Sequence, residues 1–343
     1  MPPVEGSNVE NDQPPARKGT VSTSEKFQSV FVALAAVVGL GAGSLWPIGA
    51  TAGHLVLPAL MLMLVAVFVQ VDAAQVRRAR SARTVVAVSL GLNFVFTPLF
   101  AWVLGAGLLG GSPDLRIGLL LLLVTPCTDW YLVFTGLARG HVGIAAAVLP
   151  VNLILQLLLL PVYVLLLGGE AARVDTGTLV EAVLLVLVVP LVTAVLLRGA
   201  TRRWKGARWR DERLVSLASV SVLPLLYLAV FAMFAWQART VTAHLGDLAA
   251  LLPPLVSFFV VMSLVATGTG RLLRLPADQR VTLTMTSVAR NSPVALAVAV
   301  AAFPDRPLIA VALVVGPLVE LPVLALLSQI VRVRAPHPEA ARP

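Results

Sequence analysis

One thiol and three charged residues stand apart from the rest of the chain. Cys127 is the single cysteine among 343 residues. It follows Pro126 in the run Thr125-Pro126-Cys127-Thr128-Asp129. A thiol at the start of a half-helix meets unpaired backbone N–H groups, which favour the nucleophilic thiolate. A soft thiolate prefers soft metals and metalloids; the plainer alternative is a small buried hydrophobe. A second run, Arg290-Asn291-Ser292-Pro293, again joins a formal charge to polar groups and a proline. Glu320, within Gly316-Pro317-Leu318-Val319-Glu320-Leu321-Pro322, is a candidate proton carrier. Asn152 and Gln156 lie one turn apart and share a helix face, and Asn93 precedes Thr97 and Pro98. Each of these amides either ties helices together or serves an ion path.

The same inventory excludes other chemistry. A lone cysteine makes neither a disulfide framework nor a multi-cysteine metal cluster. The histidines, His54, His141, His244 and His337, are scattered. There is no His-Glu-x-x-His, no phosphate-binding Gly-rich Lys motif and no triad. Neither an enzyme nor an ATP-driven pump is expected, and no cofactor is implied.

The elements that must position these residues are set by composition. The chain is 58% hydrophobic and 13% charged, with a mean hydropathy of +0.90. An average soluble domain carries about twice that charge. Residues 1–26 are polar and read as a disordered cytoplasmic tail, and 332–343 as a cytoplasmic C-terminal tail. The long apolar run after residue 26 reads as a first span and not as a removed signal peptide. Crossing the hydrocarbon core takes about 20 apolar residues, and such runs recur ten times. The first five lie near Phe27–Trp46, Ala52–Val71, Thr84–Leu109, Leu115–Ala138 and Val142–Leu167. The second five lie near Gly177–Leu197, Leu214–Trp236, His244–Leu273, Arg280–Phe303 and Pro307–Val331. The expected fold is an all-α membrane protein of ten transmembrane helices.

Lysine and arginine positions orient it. With both termini in the cytoplasm, twenty-one basic residues fall in inner segments and four in outer ones, leaving Arg290 within a span. That is a strong positive-inside bias for a cell-membrane protein. The formal net charge of +9 is therefore an inner-face surplus that meets anionic lipid headgroups. No basic patch is interleaved with stacking aromatics, so no nucleic acid is expected as a partner.

Ten spans divide into two five-helix repeats, residues 27–167 and 177–331. An odd number per half makes the second enter from the opposite side, the geometry of an inverted repeat. The two proline-bearing runs fall in the fourth span of each half, spans 4 and 9. Proline frees backbone groups at mid-membrane, tolerated only where protein or a polar cavity satisfies them. Asp129 and Arg290 add about 2.5–3.5 kcal/mol each at a helix centre, a cost that their pairing would reduce. Pro58, Pro98, Pro150, Pro161, Pro190 and Pro224 read as simple kinks, and Gly39 with Gly43 as a helix-packing pair.

Thr125-Pro126-Cys127-Thr128, the Asn152/Gln156 face, Asn291-Ser292 and especially Gly316 to Val323 resemble the arsenite efflux permeases. These share a superfamily with the bile acid:sodium symporters. The resemblance covers about residues 27–333. It implies a panel domain, and a core domain in which broken helices 4 and 9 cross. It implies efflux of arsenite or antimonite by proton antiport, with Cys127 as the metalloid contact. The chain departs from that pattern in span 9. There the permeases carry an acidic residue shortly after paired asparagines, where this sequence reads Arg290-Asn291-Ser292-Pro293-Val294; Asp129 in span 4 is its own addition.

The resulting expectation is a secondary transporter. Cys127, Thr125, Thr128, Asn291, Ser292 and Arg290 face the substrate, while Asp129 and Glu320, with Asn152 and Gln156, serve the coupling ion. The rivals are a sodium-coupled organic-anion symporter of the same fold and, from another class, a membrane-embedded enzyme or scaffold.

Overall fold

A computed structural model describes residues 28–70, 83–127, 130–168 and 176–334. The expected N-terminal tail, Thr128, Asp129 and the basic residues Arg77, Arg78 and Arg80 lie outside the described residues. Fifteen α-helices follow in chain order. They are α1 (Gln28–Leu45), α2 (Gly49–Gln70), α3 (Arg83–Gly91), α4 (Thr97–Leu108), α5 (Pro113–Val124), α6 (Trp130–Leu137), α7 (Val142–Leu167) and α8 (Thr176–Trp209). The rest are α9 (Val215–Trp236), α10 (Ala238–Ala243), α11 (Leu245–Ala249), α12 (Leu252–Leu272), α13 (Ala277–Val288), α14 (Ser292–Ala302) and α15 (Pro307–Arg334). A π-helical turn, Leu92–Phe96, joins α3 to α4.

Among the described residues, seven helical segments are long and apolar enough to cross a membrane. The three expected spans outside that set are short for identifiable reasons. The apolar part of α1, Val30–Leu45, is brief. Spans 4 and 9 are each two short helices, α5 with α6 and α13 with α14, separated by non-helical backbone. The prolines divide accordingly. Pro58, Pro150, Pro161, Pro190 and Pro224 lie inside continuous helices, as do Pro317 and Pro322 of α15. Pro126 and Pro293 lie where the helix stops or restarts.

Boundaries differ from expectation mainly at α8. It continues past Leu197 through Arg198, Arg202, Arg203 and Lys205 before a break in helical geometry at Gly206, whose φ is 86°. The helical stretch before that break, residues 176–205, amounts to about 45 Å at 1.5 Å per residue, against a hydrocarbon core of about 30 Å. The basic end therefore extends well beyond what lipid tails would cover.

The helices form two groups. In one, α9 packs along α1 and α2, and α8 packs on α2. The contact between α1 and α9 is so close that a Cβ on Gly39 or Gly43 would run into the backbone carbonyls of Phe231 and Ala235. The small-residue pair is thus a backbone-to-backbone seam, as its spacing implied. The other group contains α3 to α7 and α12 to α15. It meets the first where α14 touches α2 and α8, and where α15 touches α1. The core runs continuously through both, with Leu60, Leu121, Phe258, Leu283 and Leu313 fully enclosed. A polar cluster interrupts it at the two helix breaks.

Candidate functional site: a crossing of two broken helices

Helices α5 and α13 both end, and α14 begins, at one point. Beyond Val124, Thr125 turns extended (φ −101°, ψ 97°). Beyond Val288, Ala289 does the same (φ −72°, ψ 140°). The two extended stretches then pair as a minimal antiparallel bridge between Pro126 and Arg290. The Cys127 N–H donates to Ala289 O at 3.1 Å, and the Asn291 N–H donates to Thr125 O at 2.7 Å. Each break thus answers backbone groups that the other has freed, as a lipid environment requires.

Side chains satisfy more of the open helix ends. The Thr125 hydroxyl donates back to Leu121 O (2.9 Å) and Leu122 O (3.0 Å), closing the end of α5. Asn291 caps α14, its Oδ1 accepting the Val294 N–H at 3.2 Å. Ser292, the first residue of α14, has a buried hydroxyl with no hydrogen-bond partner among the described residues. The Cys127 thiol is buried at the same crossing, 3% exposed.

Arg290 is the largest fully buried side chain of the described residues. Its guanidinium turns onto helix ends. Nη1 donates to Leu123 O at 2.8 Å, and Nε to Val288 O at 3.3 Å. Nη2 donates to Ser287 O and, at 2.7 Å, to Asn93 Oδ1. The guanidinium also lies over the ring of Phe258, 5.1 Å from its centroid. Both α5 and α13 present their last carbonyls here, the negative ends of two helix dipoles. One cation answers both.

Glu320 joins from α15. Its Oε1 accepts the backbone N–H of Arg290 at 2.8 Å, so the buried carboxylate and the buried cation belong to one cluster. The approach depends on Gly316, where a Cβ would press on Leu122 and on the Ser292 hydroxyl at 2.7 and 2.8 Å.

The structure therefore brings together Thr125, Cys127, Arg290, Asn291, Ser292 and Glu320. Thr128 and Asp129, with the expected Asp129–Arg290 pairing, lie outside the described residues. Asn152 and Gln156 sit elsewhere on the same inner surface. Along α7 they share a stripe with Ala145 and Tyr163. The Ala145 carbonyl accepts from Tyr131 of α6 (2.9 Å), and the Tyr163 hydroxyl donates to Phe94 in the π turn (2.5 Å). Both amides are essentially inaccessible, and neither their oxygens nor their nitrogens have a hydrogen-bond partner among the described residues.

Sequence reasoning named Asn93 but passed over its partners in the cluster. Asn93, read as an interhelical hydrogen bonder, also donates to Thr286 O at 3.1 Å and so ties span 3 to the Arg290 cage. Thr286 bonds Ser89 across the same contact at 3.1 Å. The signal was there in α13, where Thr282, Thr284, Thr286 and Ser287 are all buried despite their polarity.

Buried, charged helix breaks among apolar helices of spanning length define a class, the multi-pass membrane transporters. The family follows from comparison. The sequence matches the sodium bile acid symporter family over residues 57–244, more than half its length, and the chain belongs to that family. It is 27% identical to an arsenical-resistance protein of Alkaliphilus metalliredigens, over 93% of this chain and 95% of that protein. It is 27% identical to an arsenical-resistance protein of Corynebacterium glutamicum, over 69% and 67% respectively. An uncharacterized transporter of Synechocystis sp. is 26% identical over 91% and 89%. The family and these relatives are transporters, not enzymes.

Proposed function

We propose that the chain is a cell-membrane efflux carrier for arsenite or antimonite, driven by proton antiport, with its solute site at the crossing. The observation that carries this reading is the burial of the Cys127 thiol at the junction of two broken helices, where the Ser292 hydroxyl also has no partner among the described residues. Arsenous or antimonous acid condenses with a thiol: a metalloid–sulfur bond forms, a metalloid–hydroxyl bond breaks, and the thiol proton leaves with that hydroxyl as water. A single thiol makes a single such bond, strong enough to select the solute and reversible enough to let it go. Thr125, Thr128, Asn291, Ser292 and Arg290 complete the surroundings. Two relatives named for arsenical resistance support this choice of solute.

Ten spans in two inverted five-helix repeats, with both termini in the cytoplasm, supply the architecture. Glu320 and Asp129 serve as proton carriers, and the Asn152/Gln156 face lines the ion path. The Glu320 carboxylate sits on the Arg290 backbone N–H, so gain or loss of its proton acts directly on the span 9 break.

The test is arsenite accumulation in a sensitive host. Wild type lowers it and confers resistance, and Cys127→Ala loses most of that protection at equal membrane abundance. Equal protection by Cys127→Ala refutes thiol coordination. Accumulation in vesicles under a sodium gradient but not a proton gradient, with an organic anion as solute, would favour the sodium-symporter alternative.

A further inference from the structure

We propose that the Arg290 guanidinium is a built-in cation occupying the place at the crossing that an alkali-metal ion would otherwise take. The carrier accordingly binds no such ion there, and removal of the guanidinium creates an alkali-cation site. This inference is independent of the solute carried.

Broken helices in membrane carriers leave carbonyl oxygens and helix C-termini facing inward, and such groups coordinate sodium or accept protons. Hard cations take oxygen ligands of this kind. Here four oxygens of the described residues already hold the guanidinium. Leu123 O comes from the end of α5, Ser287 O and Val288 O from the end of α13, and Asn93 Oδ1 from the π turn of span 3. None of the four is a carboxylate oxygen, so the cage supplies dipoles and the negative charge comes from elsewhere. Among the described residues that charge is Glu320, placed on the Arg290 main chain and not on its guanidinium. The Phe258 ring closes a further face with its negative quadrupole.

The cation is also tethered at the point it neutralises. Arg290 is the residue at which the two breaks pair, so its side chain leaves the crossing and turns straight back onto the helix ends. A mobile ion would have to enter and leave these oxygens in every cycle, whereas the guanidinium stays. A second cation in the same cage would face an unscreened like charge at close range in a water-poor interior. The Asn93 amide points its oxygen at the guanidinium and its nitrogen at Thr286 O, the orientation an ion would also require.

A clasp that merely holds the helices is distinguished from a resident cation by what replaces it. Thermal unfolding of the purified full-length protein is followed without solute, with sodium, potassium or choline chloride at constant ionic strength. Wild type and Arg290→Lys are expected to unfold at the same temperature in all three salts. Arg290→Ser and Arg290→Gly should unfold earlier in choline and recover, saturably, with sodium or potassium and with millimolar guanidinium, since a ligand of the folded state raises apparent stability. Saturable sodium stabilisation of wild type overturns the proposal. So does an Arg290→Ser or Arg290→Gly protein that no small cation restores, including one never recovered folded in any of the salts. No metalloid is present in these assays, so a failed arsenite test leaves their outcome untouched.

Discussion

Two polar regions lie inside this apolar protein, and they are built on opposite terms. At the crossing, Arg290 donates to four oxygens, Thr125 and Asn291 close helix ends, and the two breaks hydrogen-bond to each other. On the α7 stripe, Asn152 and Gln156 are as deeply buried, yet all four of their amide atoms lack a partner among the described residues. A buried polar group left unanswered costs about 1–3 kcal/mol. The chain satisfies most of the first region from its own atoms, the Ser287 and Ser292 hydroxyls excepted, and among the described residues it leaves the second unanswered. Amides donate and accept equally, which suits water along the proposed ion path. The crossing holds its shape from within, and the α7 stripe is left open.

The largest effect expected from breaking this contrast is at Arg290. Arg290→Met removes the shared donor and leaves three carbonyls, Asn93 and the buried Glu320 uncompensated, at a cost of about 3–5 kcal/mol, the range for breaking a buried pair. Denaturant titration in detergent with choline as the salt cation measures it. A loss below about 1 kcal/mol would mean that the crossing is not self-satisfied.

Next comes Gly316→Ala, whose added methyl presses on Leu122 and Ser292. Overpacking of this kind costs about 1–3 kcal/mol, and it should weaken solute affinity by shifting the Ser292 hydroxyl. Unfolding midpoints with solute dissociation constants check both halves; an unchanged affinity removes Ser292 from the solute's surroundings.

The smallest stability effect, and the most informative, belongs to Asn152→Leu with Gln156→Leu. Replacing unpartnered amides by apolar groups of similar bulk should leave stability unchanged or raise it, while transport is lost. Parallel unfolding and flux measurements test this. A destabilisation beyond about 2 kcal/mol would show that the amides are already satisfied within the protein.

Much of this was legible in the sequence. Apolar runs located the helices because every backbone group in lipid must be satisfied locally, which leaves little alternative to a helix. Proline alone did not mark the breaks, since Pro58, Pro150 and Pro224 pass through intact helices. Both breaks have a proline three residues from a formal charge, at Pro126 and Pro293, but that pattern is not sufficient either, since Pro317 and Pro322 flank Glu320 within the continuous α15. The partners of Arg290 were not legible. Sequence offers only side chains as counter-charges and so pointed to Asp129, which lies outside the described residues; it could not show the bonds to the carbonyls of Leu123, Ser287 and Val288, which every residue type carries. The polarity of α13 was visible, but its destination depended on the π turn that brings Asn93 to Arg290.

The bridge between Cys127 and Ala289 and between Asn291 and Thr125 has a mechanical meaning. Two hydrogen bonds, at 3.1 and 2.7 Å, rivet four half-helices at a single joint. Any displacement that leaves the rivet whole must carry both broken helices together, like the crossed struts of a truss. The give then falls on the seams where α14 meets α2 and α8 and where α15 meets α1. The load-carrying frame and the sliding surface are different parts, and substitutions along those seams would alter the rate of the stroke while leaving the joint intact.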